Sequence, residues 1–251
     1  MLKLNNILTL LLLCTIVLLS ACATTTEEED EFYEADKTAA ALYEEAKAAI
    51  SQEDYETAIQ KLESLEARFP FGKYAQQAQL DMAYAYFKFE EPESAIASAN
   101  RFIKLYPRHP HVDYAYYLKG LVKFEQGQSV FDGLASQDPA KRDPEAARRS
   151  FQYFSELASR YPESKYSHDA VERMKYLKNN LARHELFAAQ HYMERNAYVA
   201  AANRAKYIID NFQTTPTMPE ALLLLADAYD KLRLDDLATD ARRVYTHNYE
   251  K

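Results

Sequence analysis

Small and aromatic residues recur along this chain at fixed distances, and the distances fit pairs of helices. Five small residues each have an aromatic 11 positions later: Ala58 with Phe69, Ala95 with Tyr106, Ser150 with Tyr161, Ala201 with Phe212, and Ala238 with Tyr249. The first three aromatics are followed by Pro70, Pro107 and Pro162. A proline there stops a helix, because it lacks the N–H and crowds the preceding turn. A second small residue (Ala46, Ala83, Ala189, Ala226) lies 12 positions upstream in four of the units. Three residues after three of these come Tyr86, Tyr192 and Tyr229. The pattern predicts helix pairs in which the small residues allow close approach and the aromatics fill the space between neighbouring pairs.

The plain period is 37 residues, from Phe69 to Tyr106 and again from Phe212 to Tyr249. The two middle intervals are longer, and the excess can be placed. Gly120 lies 14 after Tyr106, as Ala83 lies 14 after Phe69, so Gly120 and Ser150 are the two small sites of unit three. The 18 extra residues between them read as a loop insertion at about 125–145, which holds two of the four glycines. A long loop in a repeat array tends to carry function. A further 14 residues precede Ala189, in a stretch from Ser167 to Arg195 without Gly or Pro. One long helix is predicted there, extended by about four turns.

The order of small and aromatic sites resembles the tetratricopeptide repeat, a helix–turn–helix unit. The expected fold is all-α: an α-solenoid of five tetratricopeptide-type helix pairs over residues 37–251, with one concave face. Composition agrees, since Ala, Leu, Glu, Lys and Arg are good helix formers. Gly occurs only four times, which predicts few tight turns and few hairpins.

Ahead of the repeats, an apolar run from Ile7 to Leu19 follows Lys3. It is shorter than the ~20 residues that a membrane-spanning helix needs, and it ends in small residues, as cleaved secretory signals do. Leu19-Ser20-Ala21-Cys22 resembles the lipobox of bacterial lipoproteins. That resemblance implies a signal at residues 1–21, acylation of Cys22, and anchoring through lipid chains at about 0.8 kcal/mol per buried CH₂. Ala23, where inner-membrane lipoproteins commonly carry Asp, implies the outer membrane and its periplasmic face. Loss of Cys14 with the signal leaves no pair of thiols for a disulfide. Residues 22–36 add six carboxylates between Glu27 and Glu34 and read as an acidic disordered tether. The full chain carries a net charge of −8, which argues against nucleic acid as a partner.

No catalytic constellation emerges, and no cofactor or metal is expected. His109-Pro110-His111 is too kinked to present two metal ligands easily. His184 and His191 are seven apart on one helix and would need further ligands to hold a metal. Nucleophile-elbow, P-loop and H-E-x-x-H patterns do not occur. A non-enzymatic binding role is the expectation, because solenoids mostly bind other proteins. Pilot lipoproteins for pilus secretins and cell-wall coordination scaffolds could share the same anchor and fold.

Arg68-Phe69-Pro70-Phe71-Gly72-Lys73-Tyr74-Ala75-Gln76-Gln77 resembles a motif of the BamD family, lipoproteins of the outer-membrane β-barrel assembly machinery. Further matches are His109-Pro110 with Asp113-Tyr114, Gly120-Leu121, Arg142-Asp143-Pro144, Tyr161-Pro162, Asp169-Ala170 and Asn203-Arg204. The resemblance implies a scaffold docked on the periplasmic domains of the outer-membrane barrel insertase. It also implies contact with accessory assembly lipoproteins and with the aromatic-rich C-terminal strands of unfolded β-barrel substrates. Arg195 and Arg204 match family arginines that contact the insertase, partly through a carboxylate. Phe71, Tyr74 and Arg101 are the expected substrate-peptide residues, with Arg101 able to meet a peptide carboxylate.

Overall fold

The computed structural model describes residues 37–127 and 138–250. The signal, Cys22 and the acidic tether fall outside the described residues, as do positions 128–137 of the unit-three loop. Among the described residues there are ten α-helices and one short 3-10 turn. Unit one is α1 (Ala39–Ser51) and α2 (Tyr55–Arg68); unit two is α3 (Lys73–Lys88) and α4 (Pro92–Leu105). Unit three is α5 (Val112–Gln126) and α6 (Glu145–Arg160); unit four is α7 (Ser167–Glu194) and α8 (Tyr198–Asn211). Unit five is α9 (Met218–Lys231) and α10 (Asp235–Tyr249). Each helix packs on the next along the chain. Beyond these sequential contacts, α1 touches α3, α3 touches α5, and α7 touches α9. First helices of successive units therefore lie closest together, which makes theirs the concave side of the solenoid.

The small sites do what their spacing predicts. Ala46, Ala58, Ala83, Ala95, Ser150, Ala189, Ala201 and Ala226 are fully buried, and Ala238 nearly so. Unit three shows why size matters. A Cβ on Gly120 would sit 2.3 Å from the Phe154 ring of α6, and Ser150 Oγ donates to the Gly120 carbonyl at 2.9 Å. The aromatics Phe69, Tyr106, Tyr161 and Phe212 cap the second helices. Each backbone N–H reaches the carbonyl four residues back at 2.8 Å. Tyr249 differs, since it lies inside the last turn of α10 and is exposed.

Tight turns are present despite the scarcity of glycine. Glu53, Glu90, Asn196 and Arg233 hold φ between 57° and 61°, each five residues before the small site of its second helix. The next residue in each case donates its N–H back to a first-helix carbonyl: Asp54 to Ala49, Glu91 to Tyr86, Ala197 to Tyr192, and Leu234 to Tyr229. This is the Schellman closure of a helix, a conformation more often given to Gly or Asn. The expectation of few tight turns is corrected here: closure of the hydrogen bond and packing of the pair outweigh the left-handed penalty of about 1–2 kcal/mol per residue.

The long fourth-unit helix spans 28 residues. It receives the C-terminal end of the insertion, where Pro139–Lys141 form the 3-10 turn. His184 Nδ1–H donates to the Ala140 carbonyl at 2.9 Å, and Arg183 pairs with Asp138. Lys141 Nζ sits 5.1 Å from the centre of the Phe187 ring, and Arg142 donates to the Gly127 carbonyl at 3.1 Å. The extra length of α7 thus supplies the surface on which this part of the insertion rests.

Candidate partner-binding sites

The turn between units one and two is unlike the other turns between units. α3 begins four residues after its capping aromatic, whereas α5, α7 and α9 begin six after theirs. Gly72 makes the shortcut with φ of 101°, a region that a side chain rarely adopts. The turn lifts Phe71 clear of the body, with 90 % of its surface exposed. Phe71 is the most exposed of the large hydrophobic side chains among the described residues.

Tyr74 begins the concave wall next to it. Its ring lies 5.6 Å from Tyr43 of α1, and Lys73 Nζ stands 4.8 Å from its centre. Together with Gln76, Gln77 and His109–His111 these residues line an open groove of about 340 Å³. Two of its lining residues, Tyr43 and Gln77, are held from behind by Asp81. Tyr43 Oη donates to Asp81 Oδ2 at 2.9 Å, Lys47 Nζ lies 3.6 Å from the same oxygen, and Gln77 donates to Asp81 Oδ1 at 3.1 Å. Burial, then the Asp81 carboxylate, pushes the Tyr43 phenol well up, so it remains a donor. His109 is held below the usual histidine range, first by burial and then by His111, and its Nδ1 accepts from the His111 N–H at 3.1 Å. Hydrogen-bond donors, aromatic faces and a lysine suit an extended peptide with aromatic side chains.

Arg101 is set apart from this groove. It lies on α4 and pairs with Glu66 of α2, which also accepts from Gln79. Both are second helices, so the pair joins neighbouring units on the side away from the concave wall. Lys73 is the cation at the groove. Arg68 turns back to donate to the Lys37 carbonyl at 2.9 Å.

Arg195 and Arg204 flank the α7–α8 turn. Arg195 caps α7 and is exposed. Arg204 is half-exposed, and its Nη1 donates to Glu185 Oε2 at 2.8 Å. Arg148 of α6 donates to the other oxygen of Glu185 at 3.1 Å. Glu185 itself is only 2 % exposed. The Glu185 hydrogen bond raises the Arg204 guanidinium further above its ordinary range. The chain reads Leu177, Leu181, Glu185, Ala189 along one buried stripe of α7. An acid in that stripe is the sequence signal of the node, although the arginine spacing alone does not reveal it.

Two of the three histidines of α7 serve different ends: His184 holds the insertion, and His191 is exposed beside Glu194. Among the described residues no three His, Cys, Asp or Glu side chains cluster to hold a metal. No described helix is long and apolar enough to cross a membrane.

Residues 35–244 match the YfiO family, described as outer membrane lipoprotein. The chain belongs to this family. A Neisseria gonorrhoeae relative named outer membrane protein assembly factor BamD is 47 % identical over 216 residues, covering 86 % of this chain and 81 % of its own. Relatives of the same name from Vibrio cholerae and Pasteurella multocida are 38 % and 34 % identical. They cover 80 % and 82 % of this chain, and 83 % and 80 % of their own lengths. The match to the family takes in units one to four, unit five as far as residue 244, the Phe71 turn and the Glu185 node.

Proposed function

We propose that this chain is an outer-membrane lipoprotein scaffold that binds the periplasmic domains of the barrel insertase and takes part in assembly and insertion of β-barrel proteins. The observation that carries this reading is family membership over residues 35–244, with relatives named as outer membrane protein assembly factors. Cys22, acylated, anchors the chain at the periplasmic face, and the acidic segment to residue 36 spaces the solenoid from the lipid. Arg195 and Arg204 form the insertase-docking face. Tyr74 and Lys73 in the groove, and Phe71 on the turn beside it, receive aromatic-rich segments of unfolded substrates, while Arg101 supports the neighbouring helices from the far side. Accessory lipoproteins dock elsewhere on the solenoid. The role is binding and positioning, without catalysis.

Detergent pull-down of the full-length lipoprotein from its own envelope tests this reading. A large stoichiometric partner with a C-terminal membrane barrel is the expected outcome, and Arg204→Glu should deplete it, since a reversed charge in a close pair is strongly unfavourable. Secretins or cell-wall enzymes in place of that partner would overturn the assembly role. Undiminished recovery with Arg204→Glu would remove Arg204 from the interface.

A further inference from the structure

Among the described residues Glu185 is the one buried carboxylate, and its charge balance is uneven. A buried carboxylate needs compensation, and one arginine fork can supply it through two parallel hydrogen bonds. Here two arginines share the task, from α6 and from α8, each giving one bond to a different oxygen. One negative charge faces two positive ones, so the node carries a net positive charge. Their side chains are 47 % and 46 % exposed, so one edge of each guanidinium faces Glu185 and the other faces solvent. A guanidinium has five N–H donors, and one bond to Glu185 leaves most of them for an outside acceptor, with Tyr192 beside Arg204. Nearby basic side chains are balanced differently: Arg149 pairs with Glu145, and Arg183 with Asp138, one acid to each.

We infer that Arg148 is a second docking arginine, which with Arg204 receives a carboxylate of the partner protein while Glu185 holds the two guanidinium groups side by side. The inference rests on the reading of Arg204 as a docking residue and adds a position from a different repeat unit. A partner carboxylate would cancel the surplus charge at two preset forks, so little side-chain order is lost on binding.

The test uses the full-length lipoprotein in detergent and the purified periplasmic region of the barrel insertase as probe. Arg148→Gln keeps a donor for Glu185 and removes the charge. Glu185 retains Arg204, so helicity and melting temperature should hold. Affinity for the probe should fall roughly tenfold in Arg148→Gln and in Arg204→Gln, and the double variant should lose less than the product of the two, as expected for groups sharing one acceptor. Unchanged affinity in Arg148→Gln beside weakened Arg204→Gln overturns the inference and leaves the docking reading standing. Unchanged affinity in both variants overturns the docking reading and the inference with it. Arg148→Lys supplies the second check: charge without a fork should restore affinity in part, and full loss of affinity with loss of helicity would mean that Arg148 acts only on the fold.

Discussion

At the scale of single residues, the chain reports its close contacts more plainly than its charges. The ten small sites are legible as a period because burial against a facing helix tolerates only small side chains, and every one of them is buried. Gly120 is the sharpest case. It is the sole glycine among these sites, and the space for a methyl group is already filled by Phe154. Gly120→Ala should therefore destabilise the protein by about 1–3 kcal/mol, the usual cost of overpacking, although alanine is the better helix former. Thermal or urea unfolding of the variant checks this. A stability equal to or above that of the parent would mean that the Phe154 ring moves aside freely. Glu185 was less legible, because an acid in an apolar stripe names a buried charge without naming its partners. Arg148 stands 37 residues before Glu185 and Arg204 stands 19 after it, and only the packed array brings them together.

Elements follow from local rules up to the point where neighbouring units decide the outcome. The five pairs and the lengthened α7 were readable, since proline, period and missing helix breakers act within a few residues. The left-handed turn residues were not, because Glu53, Glu90 and Arg233 carry no intrinsic preference for φ near 60°. Tyr74 lines the groove and Phe71 stands exposed on the turn before it, while Arg101 is drawn away by Glu66 on the adjacent second helix. The junction of α5 and α7 offers an electrostatic test of how elements are joined. Asp169, in the first turn of α7, accepts from Tyr117 of α5 and from Arg173, both at 2.6 Å. Burial acts to raise the Asp169 carboxyl, but the hydrogen bonds from Tyr117 and Arg173 outweigh it and hold the group below its ordinary range. The Tyr117 phenol is pushed up to about 12, chiefly by burial and then by Asp169, so it stays protonated and donating. A depressed carboxyl contributes stability that is fully present above its unfolded value, near 4, and is lost as pH falls through the folded value. Asp169→Asn should therefore melt lower than the parent at neutral pH, with the gap narrowing as pH drops below about 4. Melting curves at several pH values check this. A gap that stays constant into acid would show that the contact works through shape and not through charge.

Across the whole molecule, stability is distributed along the array and not gathered at one centre, since each unit touches mainly its neighbours. The distribution is uneven. The largest cluster runs from α3 to α7 and buries Phe102, Phe154, Leu118 and Leu157 completely. The last helix buries only Ala238 and Ala241. Its residues Thr239, Arg242 and Tyr245 occupy the positions that are Ile59, Leu62 and Leu65 in α2, Ile96, Ala99 and Phe102 in α4, and Ala202, Ala205 and Ile208 in α8. Where inner units bury apolar side chains, α10 has Arg242 reaching across to Asp227 and Asp230 of α9. Fully burying a large apolar side chain contributes about 1.5–3 kcal/mol, whereas an exposed ion pair is screened by solvent and contributes little. Local opening should thus begin at α10 and reach α5 and α6 last. Native-state hydrogen exchange reads this order directly. Amides of α10 should exchange first, those of α5 and α6 should be the most protected, and Arg242→Ala should quicken α10 by less than about tenfold while leaving α5 unchanged. Equal protection from α1 to α10 would mean instead that the array opens as one cooperative body, and that coupling between units exceeds the differences in what each unit buries.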